Sequence, residues 1–212
     1  MELATGAEAR VTNAGQSKAV VCVNGGRAAE VPGTWAATLE LLVERLAPEF
    51  QELTFVEVRY RIKSWRRLPM CIEDCRAAIQ LAGADDVALL GFSMGGAVAI
   101  AAADDPRVST VIGLAPWIPD GLDLGSLAGR RVSIIHGGLD RTVPGIPGVR
   151  PSVSLRGYER MRALGIDATR TVIPWALHGL AVRSRSGTPV PLPRAGRWVE
   201  LVADELNRFR LR

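Results

Sequence analysis

The hexapeptide Gly91-Phe92-Ser93-Met94-Gly95-Gly96 constrains this chain more than any other stretch, because of what flanks it. An apolar run, Val87-Ala88-Leu89-Leu90, leads in, and an alanine-rich series over residues 97–103 leads out. The pattern reads as strand, sharp turn and helix, with a serine at the tip of the turn, the G-x-S-x-G nucleophile elbow. The glycines two before and two after Ser93 are what such a turn demands. A Cβ at either place would collide with the neighbouring strand or helix, while Ser93 is pushed into the open.

Apolar runs alternate with helical patterns along the rest of the chain. Strands are expected over residues 19–23, 53–60, 87–91, 108–114, 132–135 and 168–174. Helices are expected over 34–47, with Thr34 as N-cap, and over 70–81, 94–103, 153–164 and 196–210. Strands separated by helices imply βαβ crossovers, hence an α/β protein with a mainly parallel sheet and helices on both faces. No domain boundary is visible, so residues 1–212 read as one domain, with 1–18 an N-terminal extension or a short edge strand. Two proline-rich loops, 144–151 and 187–193, stand out.

Composition removes several function classes. The chain has 212 residues, enough for a substantial core, and 48% of them are hydrophobic. No run of 18 or more apolar residues suggests a membrane span, and the polar start lacks the apolar segment of a secretory signal. Three cysteines, an odd number, read as reduced thiols in a cytoplasmic protein. The net charge of +4 comes almost wholly from arginine scattered among acids, since Lys18 and Lys63 are the only lysines. That distribution argues against a nucleic-acid partner. No Walker A motif, dinucleotide-binding glycine run or metal-ligand cluster calls for a cofactor or metal.

Ser93 needs a base, and the base needs an orienting acid, because a serine hydroxyl is a poor nucleophile at neutral pH. The chain has two histidines, His136 and His178, each just past a predicted strand at its carboxyl end. Open α/β sheets place their sites on that edge.

Three segments now carry a resemblance: Gly91-Phe92-Ser93-Met94-Gly95-Gly96, then His136-Gly137-Gly138-Leu139-Asp140-Arg141-Thr142-Val143-Pro144, then Leu177-His178-Gly179. In that order the chain resembles a small α/β-hydrolase-fold protein over residues 19–210. The resemblance implies a three-layer α/β/α sandwich and a Ser93–His178–Asp140 triad, leaving His136 a structural role. Between the strand after the elbow and the acid, residues 114–131 are too few for a large cap domain. The chain therefore looks like the minimal cap-less carboxylesterases and dienelactone-hydrolase-like enzymes, although the latter typically carry cysteine where Ser93 stands.

The same resemblance puts an oxyanion hole at the Met94 N–H and at the loop Asn24-Gly25-Gly26-Arg27. The family usually shows H-G-X there; Gly26 is the first choice of donor and Arg27 the second. The implied activity is a cofactor-free serine hydrolase cleaving a small-molecule carboxylic ester or thioester through an acyl-enzyme, with perhydrolase and acyltransferase chemistry open to the same triad. The alternative is a non-catalytic binding or regulatory protein on the same scaffold. Trp117 and Trp175, near the expected site, are candidates to bind the substrate. Trp35, Trp65 and Trp198 read as packing, and Cys71 and Cys75, four apart on a helix, as core. The cluster Arg59, Arg61, Lys63, Arg66 and Arg67, part of which borders the pocket, reads as a solvated surface, with an anionic substrate such as an acyl-CoA as the other reading. The long 180–195 loop could fold back over the site.

Overall fold

The structure, a computed structural model, describes residues 1–141 and 148–212. Thr142, Val143 and Pro144 of the segment after Asp140, and residues 144–147 of the first proline-rich loop, lie outside the described residues.

The chain runs β1 (Glu8–Thr12), β2 (Lys18–Val23), α1 (Ala37–Leu46), β3 (Leu53–Arg59), α2 (Leu68–Ala82), β4 (Asp86–Phe92), α3 (Met94–Ala102) and β5 (Val108–Leu114). It continues through β6 (Arg131–Gly137), α4 (Pro151–Ala163), β7 (Asp167–Ile173), β8 (Ala181–Arg183), β9 (Pro189–Pro191) and α5 (Ala195–Arg210). All the strands and helices expected between residues 19 and 210 form, with ends displaced by at most three residues.

Seven strands make one sheet in the order β1-β3-β2-β4-β5-β6-β7. Every neighbouring pair is parallel except β1 with β3. The N-terminal segment is thus an antiparallel edge strand. From β2 the chain steps first to β3 on one side and then, by way of β3, to β4 on the other. The order therefore reverses between β2 and β4, and the carboxyl ends of these two strands flank the crevice where open sheets bind ligands.

Helices cover both faces, which makes three layers. Along β4, Val87 and Leu89 pack with α2, α3 and Met161 of α4, while Ala88 and Leu90 pack with α1 and α5. Burial on both faces explains why β4 is apolar from Val87 onward rather than alternating. The largest buried side chain, Trp198, anchors α5 against the sheet. Full burial of one large apolar side chain is worth roughly 1.5–3 kcal/mol. Between β5 and β6 the chain forms one short 3-10 turn, Gly125–Leu127, and no cap domain.

Two local expectations change. The first helix begins at Ala37 behind Ala36, with no side-chain cap, and Thr34 does not cap it. The Thr34 hydroxyl instead accepts a hydrogen bond from Lys63 Nζ at 2.5 Å. The proline-rich 187–193 segment is not plain loop: β8 and β9 pair as a small antiparallel hairpin. That hairpin contacts α1, and Ala181, Val182 and Arg183 form one wall of a cleft beside Ser93.

Candidate functional site

Ser93 sits between β4 and α3 with φ 56° and ψ −118°, a conformation that L-residues avoid and that costs about 1–3 kcal/mol. Its neighbours hold it there. Ser93 N donates to Leu114 O at 2.9 Å, and Ser93 O accepts from Gly96 N at 2.9 Å and Trp117 N at 2.8 Å. The glycines have no room for a side chain. A Cβ on Gly91 would overlap the Gly95 carbonyl, and one on Gly95 the Val23 and Asn24 carbonyls. The turn is packed tight on its glycine side, and Ser93, half-buried, opens onto the crevice.

Two backbone N–H groups border the same opening. Met94 is the first residue of α3, where the helix dipole favours negative charge, and Gly26 packs against the Met94 side chain. Among the described residues neither N–H has a protein acceptor. Gly25 N, by contrast, donates to Asn24 Oδ1 at 2.6 Å. Arg27 lies beyond, bridged to Ser64 by backbone pairing.

Asp140 and His178 follow β6 and β7, adjacent parallel strands whose ends are stitched together. Gly138 N donates to Ile173 O and Leu139 N to Ala176 O, both at 2.9 Å. The stitching brings His178 Nδ1 to Asp140 Oδ2 at 2.6 Å. Since the carboxylate accepts, Nδ1 carries the proton and Nε2 is left bare. The Phe92 ring lies 5.0 Å, centroid to centroid, from the imidazole. After the histidine, Gly179 turns the chain at φ 95°; a Cβ there would strike Thr38 and Phe92. Thr38 Oγ1 accepts from Leu180 N at 3.3 Å and so fixes the loop to α1.

The second histidine reaches the same carboxylate, which sequence reasoning missed. His136, fully buried, places Nε2 3.0 Å from Asp140 Oδ2 and 2.8 Å from Val149 O. Both partners accept, so Nε2 carries the proton; Nδ1 is buried with no partner among the described residues. Val149 N in turn donates to Asp140 Oδ1 at 3.1 Å. Burial by itself would raise the Asp140 pKa. The hydrogen bonds from His136 and His178 outweigh it and hold the carboxyl below the usual aspartate value. His136 and Asp140 are four apart in one strand-to-loop segment, a spacing that could have pointed to the contact.

Two compartments meet at Ser93 and share Gly26. The smaller, about 240 Å³, is apolar and lined by Trp65, Met94, Trp117 and Val149. Trp65 and Trp117 face each other with centroids 6.4 Å apart. Trp65, expected only to pack, is therefore a wall of this pocket. Trp175, the other expected substrate residue, stands 67% exposed and lines neither compartment. The larger compartment, about 470 Å³, holds His178 together with Arg27, Thr34, Lys63 and Arg183.

Of the basic cluster, Lys63 alone lines that cleft. Arg59 pairs with Glu8, Arg61 with Asp74 at 2.8 Å, and Arg67 with Glu30 at 2.8 Å. Cys71 and Cys75 are free and buried; burial pushes the Cys71 thiol up to about 11 and Cys75 higher still. Neither is a ready nucleophile. No helix is long and apolar enough to cross a membrane among the described residues.

No protein-family model matches the chain, and no curated protein matches it. Solved structures do. An esterase from Exiguobacterium antarcticum superposes with a TM-score of 0.68 at 14% identity, over 98% of each chain. A dienelactone hydrolase from Anabaena variabilis gives 0.68 at 14% identity, over 99% of this chain and 96% of that one. An α/β serine hydrolase without a lid, from Xanthomonas campestris, gives 0.61 at 18% identity, over 84% and 83%. At these identities the likeness is one of fold.

Proposed function

We propose that this chain, which has the α/β-hydrolase fold, is a serine hydrolase cleaving a small carboxylic ester or thioester. One observation carries the reading. A strained serine and a histidine held at 2.6 Å by a buried aspartate line the same cleft, and beside the serine stand two N–H groups without acceptors among the described residues. Esterase, lipase and dienelactone hydrolase activities named for the structural neighbours support the same reaction class.

In the first half-reaction, Ser93 Oγ attacks the carbonyl carbon as His178 Nε2 takes its proton. The carbonyl electrons move to oxygen, where the Met94 and Gly26 N–H groups hold the negative charge. Asp140 fixes the imidazole tautomer and stabilises the imidazolium. The oxyanion then collapses, the bond to the alcohol or thiol breaks, and His178 gives that group its proton. In the second half-reaction water attacks the acyl-enzyme, losing its proton to His178. Ser93 leaves with that proton, and the carboxylic acid is free. The apolar pocket between Trp65 and Trp117 receives the acyl group, its small volume of about 240 Å³ favouring short acyl chains.

Labelling by a fluorophosphonate probe tests this directly. Wild type reacts, while Ser93→Ala and His178→Ala do not, and p-nitrophenyl butyrate turnover falls by roughly 10⁴-fold in each variant. A folded wild type that is neither labelled nor active would overturn the assignment.

A further inference from the structure

The two compartments differ in charge, and the difference sorts the halves of a substrate. His178 gives its proton to the leaving group, so the leaving group lies on the side that His178 lines, which is the larger cleft. We propose that this cleft is an anion-binding subsite for the leaving group, an alcohol or thiol bearing a carboxylate or phosphate, held by Lys63 and Arg27 with Arg183 at the rim. The inference rests on the hydrolytic reading for the identity of the side, and on the cleft alone for its charge.

The charge of Arg27 and Lys63 is unopposed. No aspartate or glutamate lines the cleft among the described residues. Arg183 is occupied by Glu40 and by the Trp35 and Gly187 carbonyls. Arg27 and Lys63 make no ion pair among the described residues; Lys63 Nζ donates to the neutral Thr34 hydroxyl. Lys63 is also partly buried, as a merely solvated surface lysine would not be. Burial first, then the like charges of Arg27 and Arg183, push its pKa down. A bound anion would relieve both costs, by replacing lost water contacts and by screening cation from cation.

Matched substrates test the subsite. One pair is 3-butyryloxy-4-nitrobenzoate and its methyl ester, read by nitrophenol release. The other is S-butyryl-4′-phosphopantetheine and S-butyrylpantetheine. We expect wild type to favour the anionic member of at least one pair by about tenfold in kcat/KM, expressed mainly in KM. The responding pair identifies carboxylate or phosphate. The preference shrinks with added salt and falls towards one in Lys63→Met and Arg27→Met, while Lys63→Arg restores it.

Equal kcat/KM for both members of both pairs would overturn the subsite while leaving the hydrolase standing. Titration of Ser93→Ala with 3-hydroxy-4-nitrobenzoate and with 4′-phosphopantetheine, each against its uncharged counterpart, separates the other failure. Anion binding that Lys63→Met abolishes, in a protein with no turnover, would keep the subsite and remove the hydrolase. No preference for the anion in either titration or turnover would remove the subsite.

Discussion

Asp140 and Glu57 are both buried carboxylates, and desolvation pushes both toward the neutral acid, yet they end on opposite sides of the ordinary range. Asp140 accepts from two imidazoles and a backbone N–H, and its pKa is lowered. Glu57, on β3, has its pKa raised to about 7, by burial first, with Arg10 opposing and Glu40 reinforcing. Arg10 lies across from Glu57 on β1 but already donates to Glu40 at 2.7 Å and stacks over Trp35. The lesson is that burial sets the cost of a charge and donors decide whether it is met. In the proposed mechanism the met charge does chemistry and the unmet one does none.

The sharpest way to break this contrast is to neutralise each in turn. Asp140→Asn should lower kcat on p-nitrophenyl butyrate by about 10⁴-fold, because His178 loses its tautomer and its counter-charge. Glu57→Gln should leave kcat within about twofold in the same assay. Equal losses would mean that Asp140 acts through the fold and not through His178.

Stability should respond with opposite signs. For Glu57 the folded pKa is raised, so its contribution is complete below about 4.5 and is lost as pH rises through about 7. Urea unfolding of Glu57→Gln should therefore be the more stable at pH 8, by on the order of 2 kcal/mol, with the gap closing at acid pH. For Asp140 the folded pKa is depressed. Its contribution is present above the ordinary aspartate value of about 3.9 and is lost as pH falls through the lower folded value. Asp140→Asn should thus lose stability at neutral pH and converge with wild type in acid.

A smaller effect belongs to His136, which steadies the carboxylate without lining the cleft. His136→Leu should lower kcat by about tenfold and shift the acid limb of the pH–rate profile upward, since Asp140 loses one donor. His136→Gln, whose amide can still donate to Val149 O and Asp140, should recover most of both. An unchanged pH profile in the leucine variant would show that His136 only packs.

The sequence made much of the fold legible because its central strands, β2, β4 and β5, are buried on both faces and its turns are marked by glycine. The elbow is an example. Every collision expected at Gly91 and Gly95 is realised by a specific backbone carbonyl. The Asp140–His178 pair was legible through the resemblance, whose acid and histidine segments each follow a recognisable strand. What stayed hidden depends on register and side-chain direction. His136 turns inward to Asp140, Trp65 reaches Trp117 across sequence-distant loops, and Trp175 points to solvent. The pairing of β1 with β3 fixes where Arg10 meets Glu57, and no local pattern in residues 1–18 announces that pairing.

Among the described residues the two compartments share only Ser93 and Gly26, and this keeps the acyl side apart from the leaving-group side. Under the proposed mechanism the acyl group stays parked between the tryptophans when the first product goes. The doorway that product vacates is the one through which the next nucleophile must come. Water and any competing alcohol or thiol therefore queue at a cationic threshold. The ratio of hydrolysis to transfer is set there, by who is admitted, and not at the serine.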